Sequence, residues 1–365
     1  METIQIVPRL GALLDGVADY ATTLATALQK SREIQSVFLS CDPMDSRVAL
    51  PLRERTVILR SRLADALLAA VRCCGERSRG AHKVVLLHYV NYGYASRGCP
   101  FWLIDGLKAW KRGEPGARLV TVFHELFAFG PPWRSSFWLS PVQRYLAREL
   151  SGISDETITN RAQSGQWLSR RSESSQRHVS VLPVFSSLGE PDRLIAWGQR
   201  KPQMVVAGRS GSSDRAYGRC RDQVVQACRA LGIEEIVDIG ARTGPVPSQV
   251  GDIRVTAMGH LVPRDASEVL RNARAGFIDY PSDYLGKSTV FAAYAAHGLV
   301  PVVSWRRGED EPGLAEGVNY WVPSAGAAAE RDFEQIAQAS ARWYAGHGLV
   351  LQTRTYADLL LGGAA

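Results

Sequence analysis

Short apolar segments alternate with longer amphipathic segments along almost the whole chain. In the first half, residues 4–7, 83–89 and 119–123 are mostly apolar over strand length, while residues 17–29 and 141–150 repeat apolar positions at helical spacing. Strands that alternate with helices in this way predict a parallel, doubly wound sheet with helices on its faces. The expected fold class is therefore α/β.

The alternation pauses once, near the middle of the chain. Residues 186–191 are rich in turn-forming residues, and a chain of 365 residues favours two domains over one. We expect an N-terminal Rossmann-like domain over residues 1–187, a C-terminal one over 188–345, and a last helix within 346–365. The predicted strands of the second domain are 204–207, 236–239, 254–257, 276–280, 301–304 and 319–322.

Composition indicates an ordinary globular protein. Hydrophobic residues make up 45% and charged residues 22% of the chain, and no apolar run approaches the roughly 20 residues that a membrane-spanning helix needs. The N-terminus lacks the pattern of a secretory signal, so we expect a cytoplasmic protein, either free or peripheral to the inner face of the membrane. The six cysteines have no CxxC or Cys/His spacing, which predicts reduced thiols and no structural zinc.

The net charge of +7 suits phosphorylated small molecules, nucleic acid or anionic lipid. Basic residues are scattered and no nucleic-acid-binding motif is present, so we expect no nucleic-acid partner. Residues 60–77 have apolar positions at roughly helical spacing with arginines at both ends. This stretch predicts either a helix that contacts a membrane surface or an ordinary core-facing helix.

Candidate binding residues of the first half follow predicted strands, where parallel sheets bind ligands. A glycine-bracketed loop leads to Gly16, and a helix beginning there would attract an anion. Asp15 equally fits a plain helix N-cap. The loop lacks the GxGxxG spacing, which disfavours a nicotinamide cofactor. His124 ends another strand and is either a substrate-facing or a structural histidine.

Two loops of the second half carry cations. Arg209 and Arg215 follow a strand and a glycine, as in a phosphate cradle, although a flexible surface loop has the same composition. The segment Gly-Lys-Ser-Thr at residues 286–289 lies between a strand and a helix, the context of a Walker A loop. Pro281 stands where that loop needs glycine, which opposes a P-loop kinase or NTPase.

Several segments of the second half resemble the donor-binding half of family 4 glycosyltransferases, which have the GT-B fold. These segments are residues 259–261, 275–282, 292–298 and 301–303. Gly208 and Arg209 match the Gly-Arg pair of that family, and Arg215 lies near the place of its lysine. In the first half, residues 16–21 resemble the family's glycine loop and first helix, and His124 stands where the family often has a histidine facing the donor sugar.

The resemblance implies two Rossmann-like domains facing a cleft. It also implies transfer of a sugar from a nucleotide-diphosphate sugar to a glycan, lipid-linked or small-molecule acceptor, with retention of configuration. The chain departs from the family at one motif. The two glutamates of the family align with Leu285 and Ala293, and neither of these residues is acidic. A catalytically silent nucleotide-sugar-binding protein is therefore the main alternative. A GT-B epimerase would need acidic and histidine residues that the sequence does not place.

The expected donor site combines cations and helix N-termini, which stabilise charge on a leaving diphosphate. Asp279 and Asp283 are isolated acids, so no metal-binding DxD motif is present and we expect metal-independent catalysis. No cofactor is expected besides the nucleotide sugar as co-substrate. The expected catalytic residues are His124, Arg209 and Lys287, and the expected donor-binding residues are Gly16, Arg209, Arg215, Gly286, Lys287, Ser288 and Thr289.

Overall fold

A computed structural model describes residues 1–10, 15–45, 52–77, 84–170, 179–208, 212–241, 244–323 and 332–362. The chain divides into two compact units, of which the first comprises Met1–Leu182 with Gln352–Ala365 and the second Pro183–Leu351. The division thus falls a few residues before the position near 187 that the pattern indicated. The C-terminal residues belong to the first unit.

The first unit is built on a seven-stranded parallel sheet with the order β3-β2-β1-β4-β5-β6-β7. Its strands are β1 Glu2–Val7, β2 Gln35–Ser40, β3 Thr56–Ile58, β4 Val84–Val90, β5 Arg118–Glu125, β6 Glu156–Thr159 and β7 Val179–Val181. Its helices are α1 Gly16–Arg32, α2 Ala64–Arg77, α3 Asn91–Tyr94, α4 Phe101–Gly113, α5 Ser135–Ile153 and α6 Ala162–Ser169, with a 3₁₀ turn at Leu52–Arg55.

The second unit has a six-stranded sheet with the order β10-β11-β9-β8-β12-β13, in which only β10 runs antiparallel to its neighbour. Its strands are β8 Lys201–Ala207, β9 Glu235–Ile239, β10 Gln249–Val250, β11 Ile253–Gly259, β12 Ala273–Pro281 and β13 Val300–Trp305. Its helices are α7 Ser212–Tyr217, α8 Arg221–Leu231, α9 Pro263–Asn272, α10 Thr289–Ala296 and α11 Phe333–Ala345, with 3₁₀ turns at Trp197–Gln199 and Ser282–Lys287. A final helix, α12, covers Leu349–Leu361. The predicted α/β class with Rossmann-like sheets is confirmed.

Helix α2 decides whether residues 60–77 form a membrane-contacting helix or a core-facing helix. Leu67, Val71 and Cys74 recur on one face of this helix and are buried in the core of the first unit. Because that apolar face is already covered, it does not remain for a membrane surface. The core-facing interpretation is therefore correct.

Two predicted elements differ from the structure: one strand is not formed, and one helix begins earlier. The strand expected at residues 319–322 is wrong, because Trp321 and Tyr320 form only isolated bridges there. The Trp321 N–H donates to the carbonyl of Pro301 and its own carbonyl accepts from Val303, after which the segment leaves the sheet. Helix α5 begins six residues before Pro141, which lies inside it rather than at its start.

A buried tyrosine joins the centre of the second sheet to helix α10. The Tyr294 hydroxyl accepts from the backbone N–H of Ala207 at 2.9 Å and lies 3.1 Å and 3.0 Å from the carbonyl oxygens of Val205 and Phe277. The ring fits because residue 276 is glycine, where a Cβ would lie 2.5 Å from the Tyr294 ring. A β-carbon at residue 276 would therefore expel the ring.

We predict that Tyr294→Phe lowers the free energy of unfolding of the second unit by about 1–3 kcal/mol, because the buried N–H of Ala207 loses its partner. Urea denaturation measures the change. Tyr145→Phe is the matched control, since Tyr145 is half exposed and its loss should cost less than about 0.5 kcal/mol. Equal stability of Tyr294→Phe and the wild type would contradict the role given to this hydroxyl.

Candidate functional site

A row of polar side chains crosses the middle of the first sheet. Ser36 on β2, Gln5 on β1 and His88 on β4 are buried, and His124, near the end of β5, is half-buried. Gln5 Nε2 donates to Ser36 Oγ at 2.8 Å, Gln5 Oε1 lies 2.9 Å from His88 Nε2, and His88 Nδ1 lies 3.2 Å from His124 Nε2. The row thus connects the sheet interior to the carboxyl edge of β5.

The hydrogen bonds of the row determine which ring nitrogen carries each proton. Gln5 Oε1 can only accept, so His88 must donate from Nε2. Burial, with a smaller contribution from His124, holds the pKa of His88 well below its ordinary value, so the ring is neutral and its Nδ1 accepts. His124 therefore donates from Nε2, and in its neutral form Nδ1 is its acceptor nitrogen.

Aromatic packing holds the two imidazoles in place. The His88 and His124 rings are stacked with centroids 5.5 Å apart, and Tyr20 of α1 packs edge-on against His124 at 5.1 Å. The Tyr20 hydroxyl donates to Gln352 Oε1 at 3.0 Å and lies 2.9 Å from the Tyr356 hydroxyl, both on α12. The C-terminal helix therefore supports the ring that orients His124.

Gly16 is the first residue of α1, and Asp15 is its N-cap. The Asp15 carboxylate accepts from the N–H groups of Val17 and Ala18 at 2.9 Å and 3.2 Å, and Arg9 Nε lies 2.6 Å from it. Burial raises the pKa of Asp15, but the hydrogen bonds from Arg9 and the two backbone N–H groups outweigh burial and lower it. An anion bound at Gly16 would have to share these donors with Asp15.

The best-connected charged cluster of the second unit is centred on Asp279, whose side chain is only 1% exposed. Arg215 Nε and Arg219 Nη2 each lie 2.7 Å from the Asp279 carboxylate, and Ser304 Oγ donates to it at 2.6 Å. Burial raises the pKa of Asp279, but the hydrogen bonds from Ser304, Arg219 and Arg215 outweigh burial and lower it. The cluster holds two positive charges against one negative charge.

The cluster lies at the carboxyl edge of the second sheet. Asp279 is near the end of β12, and Arg215 is on α7, which follows β8; these two strands are parallel neighbours. A surface cavity of about 320 Å³ opens beside the cluster. It is lined by Arg219, Cys220, Gln223, Asp279, Ser304 and Trp305.

The Gly-Lys-Ser-Thr segment lies at the same edge, after β12. Gly286 is buried and its carbonyl accepts from the N–H of Val184 at 2.8 Å, while Ser288 caps α10 by accepting from the N–H of Phe291 at 3.1 Å. Lys287 is half-buried at the end of the 3₁₀ turn, and Thr289 is the first residue of α10. Ser288 is thus the N-cap of α10.

Arg209 lies outside the described residues, so the structure brings together Arg215 and residues 286–289 on one sheet edge but does not place Arg209. The positions that hold glutamate in family 4 are apolar here as expected, and both Leu285 and Ala293 are fully buried. Within the described ranges, no group of three or more His, Cys, Asp and Glu side chains has a metal-binding arrangement.

Sequence reasoning missed the residues that orient the two clusters. The sequence pattern places Gln5 and His88 inside mostly apolar strands and leaves Asp279 an isolated acid, so it assigns none of them a role. A signal existed for the first two, since a single polar residue inside a buried strand must find a hydrogen-bonding partner. Arg219 gave no signal, because it becomes relevant only where α7 ends beside β12.

Comparison with known proteins shows the fold. No known protein family matches the chain in sequence, and no curated protein does. The apo structure of the lipopolysaccharide outer core galactosyltransferase WaaB is 13% identical and has a TM-score of 0.57 over 100% of both chains. The pneumococcal O-GlcNAc transferase GtfA, solved with UDP and GlcNAc, is 10% identical with a TM-score of 0.62 over 100% of this chain and 99% of that chain.

The N-terminal domain of trehalose-6-phosphate phosphatase from Candida albicans is also similar, with 9% identity and a TM-score of 0.59 over 100% of this chain and 97% of that one. At these identities the likeness shows the GT-B fold that the sequence resemblance implied.

We predict that His88 stays neutral at pH 5, about 1.5 units below the usual histidine pKa of about 6.5, with its proton on Nε2. Two-dimensional NMR of ¹⁵N-histidine-labelled protein reports both the charge and the tautomer of each ring. Loss of the signal in His88→Gln assigns it. A His88 signal that titrates near pH 6.5, or one protonated on Nδ1, would contradict the hydrogen-bonded row.

We predict that Asp279→Asn lowers the free energy of unfolding by about 1–3 kcal/mol at pH 7, because two arginines and Ser304 lose their anionic partner. The pKa of Asp279 is lower in the folded state, so its contribution is present above the unfolded pKa of about 3.9 and is lost as pH falls through the folded pKa. Urea titrations should therefore show wild type and variant converging below about pH 4.

Asp252→Asn is the control, since its side chain is 75% exposed and its ion pair with Arg229 should contribute almost nothing. A stability difference for Asp279→Asn that does not change with pH would show that the charge of this carboxylate is unimportant.

Proposed function

We propose that this chain is a glycosyltransferase, resembling family 4, that moves a sugar from a nucleotide-diphosphate sugar to a glycan, lipid-linked or small-molecule acceptor. The observation that carries the proposal is an oriented histidine at the carboxyl edge of one Rossmann-like sheet and a set of fixed cations at the carboxyl edge of the other. Parallel sheets bind ligands beyond these edges. The whole-length likeness to a transferase solved with UDP and GlcNAc supports the same function.

His124 is the proposed contact to the sugar or the acceptor. His88 Nδ1 accepts the hydrogen bond that His124 Nε2 donates, so the neutral His124 ring would offer Nδ1 as the acceptor to a substrate hydroxyl group. The stacked His88 ring and the edge-on Tyr20 ring hold the imidazole before the substrate arrives. An acceptor nitrogen held in advance contributes to the rate because little reorganisation is needed in the transition state.

The donor diphosphate is the proposed ligand of the second edge. Arg209, Arg215 and Lys287 would stabilise the charge that builds on the leaving oxygen, together with the N-terminus of α10. Arg215 also binds Asp279, which weakens its field but fixes its position. The proposed donor contacts also include Gly16, Gly286, Ser288 and Thr289.

We propose that the transfer retains configuration and requires no metal and no cofactor besides the nucleotide sugar. The arginines and Lys287 would supply the positive charge that a metal ion provides in other phosphate-binding sites.

A specific observation favours one other candidate, a catalytically silent nucleotide-sugar-binding protein. Leu285 and Ala293 fill the hydrophobic core of the second unit at the positions where family 4 has glutamates. Other groups must therefore contact the donor sugar if transfer occurs. The P-loop interpretation has less support, because Gly286 and Ser288 already bond to backbone groups of the same unit.

We predict that one of the common UDP-, GDP- or ADP-sugars raises the melting temperature of the chain, since a ligand at 100 times its Kd adds about 2.7 kcal/mol of stability. For that donor, Arg209→Ala and Lys287→Ala should each weaken binding by about 1.5–3 kcal/mol through loss of a charge-assisted phosphate contact. His124→Ala should lower the transfer rate. Calorimetry and a product assay measure these changes.

Arg254→Ala and Lys30→Ala are matched controls, because both side chains are exposed and lie away from the carboxyl edges of the sheets. Unchanged donor binding in both Arg209→Ala and Lys287→Ala would overturn the proposed diphosphate site. Donor binding without any transfer would favour the silent protein. Magnesium-dependent ATP hydrolysis that disappears in Lys287→Ala would favour the P-loop enzyme.

A further inference from the structure

Five large aromatic side chains are exposed close together in the first unit, between the end of β5 and the middle of α5. We call this set the aromatic surface. It comprises Phe129, Trp133, Phe137, Trp138 and Tyr145, of which Trp133 is 84%, Trp138 71% and Phe129 70% exposed. Several large aromatic side chains exposed within one short segment indicate an interaction site on a folded protein.

Helix α5 has two apolar faces where an ordinary surface helix has one. Its inward face buries Leu146, Ala147 and Leu150 in the core. Trp138 and Tyr145, seven residues apart, share the opposite face, where polar side chains are expected. The outer face is therefore not required for the packing of the unit.

Contacts fix several side chains of the aromatic surface. Phe137 and Trp138 pack edge to face with centroids 5.3 Å apart, and Trp138 Nε1 donates to the carbonyl of Pro132 at 2.8 Å, which ties the helix to the preceding loop. Arg144 lies over the rings of Phe127 and Phe129, with its guanidinium carbon 4.7 Å and 5.7 Å from their centroids. Cation and aromatic groups are thus presented on one surface.

The charge of this segment has one sign. Residues 126–148 contain Arg134, Arg144 and Arg148 and no acidic residue, while Glu125 and Glu149 lie directly outside this segment. Tryptophan and tyrosine favour the boundary between lipid headgroups and acyl chains, and arginine is attracted to anionic headgroups. A neutral protein partner or a neutral glycan would explain the aromatic rings but not the arginines of this segment.

We propose that the aromatic surface docks the protein on the face of an anionic lipid bilayer. No described helix is long and apolar enough to cross a membrane, which fits attachment to the surface. The surface begins a few residues after His124, so docking would bring the carboxyl edge of the first sheet near the headgroups. The inference goes beyond the proposed sugar transfer and does not depend on it.

Vesicle flotation with the full chain tests the proposal without any sugar nucleotide. We expect binding to vesicles that contain phosphatidylglycerol and little binding to vesicles of phosphatidylcholine alone. Raising the salt from about 0.1 M to about 1 M shortens the screening length from about 10 Å to about 3 Å and should release most of the protein.

Two double variants separate the aromatic and the charged contributions. Trp133→Ser with Trp138→Ser should lower the vesicle partition coefficient by at least about tenfold, since binding scales with inserted apolar area. Arg134→Gln with Arg148→Gln should lower it by about fivefold for each charge removed. Circular dichroism and the melting temperature verify that each variant is folded.

Matched controls carry equivalent changes elsewhere in the chain. Met44→Ser with Val350→Ser removes two apolar side chains that are 83% and 78% exposed, and Arg229→Gln with Arg254→Gln removes two exposed charges. Both controls should bind vesicles like the wild type.

Three results would overturn the proposal. The first is absence of binding to phosphatidylglycerol vesicles, and the second is binding that the control variants reduce as much as the surface variants do. The third is self-association in sedimentation that the tryptophan variant abolishes while vesicle binding is absent, which would assign the surface to a contact between copies of the chain.

Discussion

Polar side chains in the middle of the first sheet are out of reach of water, and each must find its hydrogen-bonding partner on a neighbouring strand. Gln5 and His88 satisfy one another, and this single contact determines the tautomer of His88 and through it the tautomer of His124. The strand order places β1, β4 and β5 side by side, which is what allows the row to form. The chemistry available at the carboxyl edge therefore depends on a hydrogen bond inside the core.

Buried polar groups must also find partners in the second unit, where the groups are charged and not neutral. A carboxylate that is 1% exposed is tolerated at Asp279 because two guanidinium groups and a hydroxyl surround it. The protein itself thereby holds both arginines, including Arg215, which the sequence assigned to a ligand. Their field is weaker than that of solitary cations, but their geometry is set before any ligand arrives.

Fold and function separate clearly in this protein. The GT-B fold is also found in a domain of trehalose-6-phosphate phosphatase, so the architecture does not establish the reaction. The proposed function rests on the residues at the two sheet edges. The exposed rings beside α5 serve neither edge directly and are not needed by the core, which is why they point to a separate partner.

The sequence by itself determined the alternation of strands and helices and its division into two Rossmann-like series, because periodicity is a local property of neighbouring residues. Only the tertiary structure decided that Gln5 meets His88 across 83 residues, that Arg215 meets Asp279 across 64, and that Tyr356 meets Tyr20 across 336. Such contacts depend on strand order, register and the direction of each side chain. These quantities are set by the packing of whole elements, and no local pattern records them.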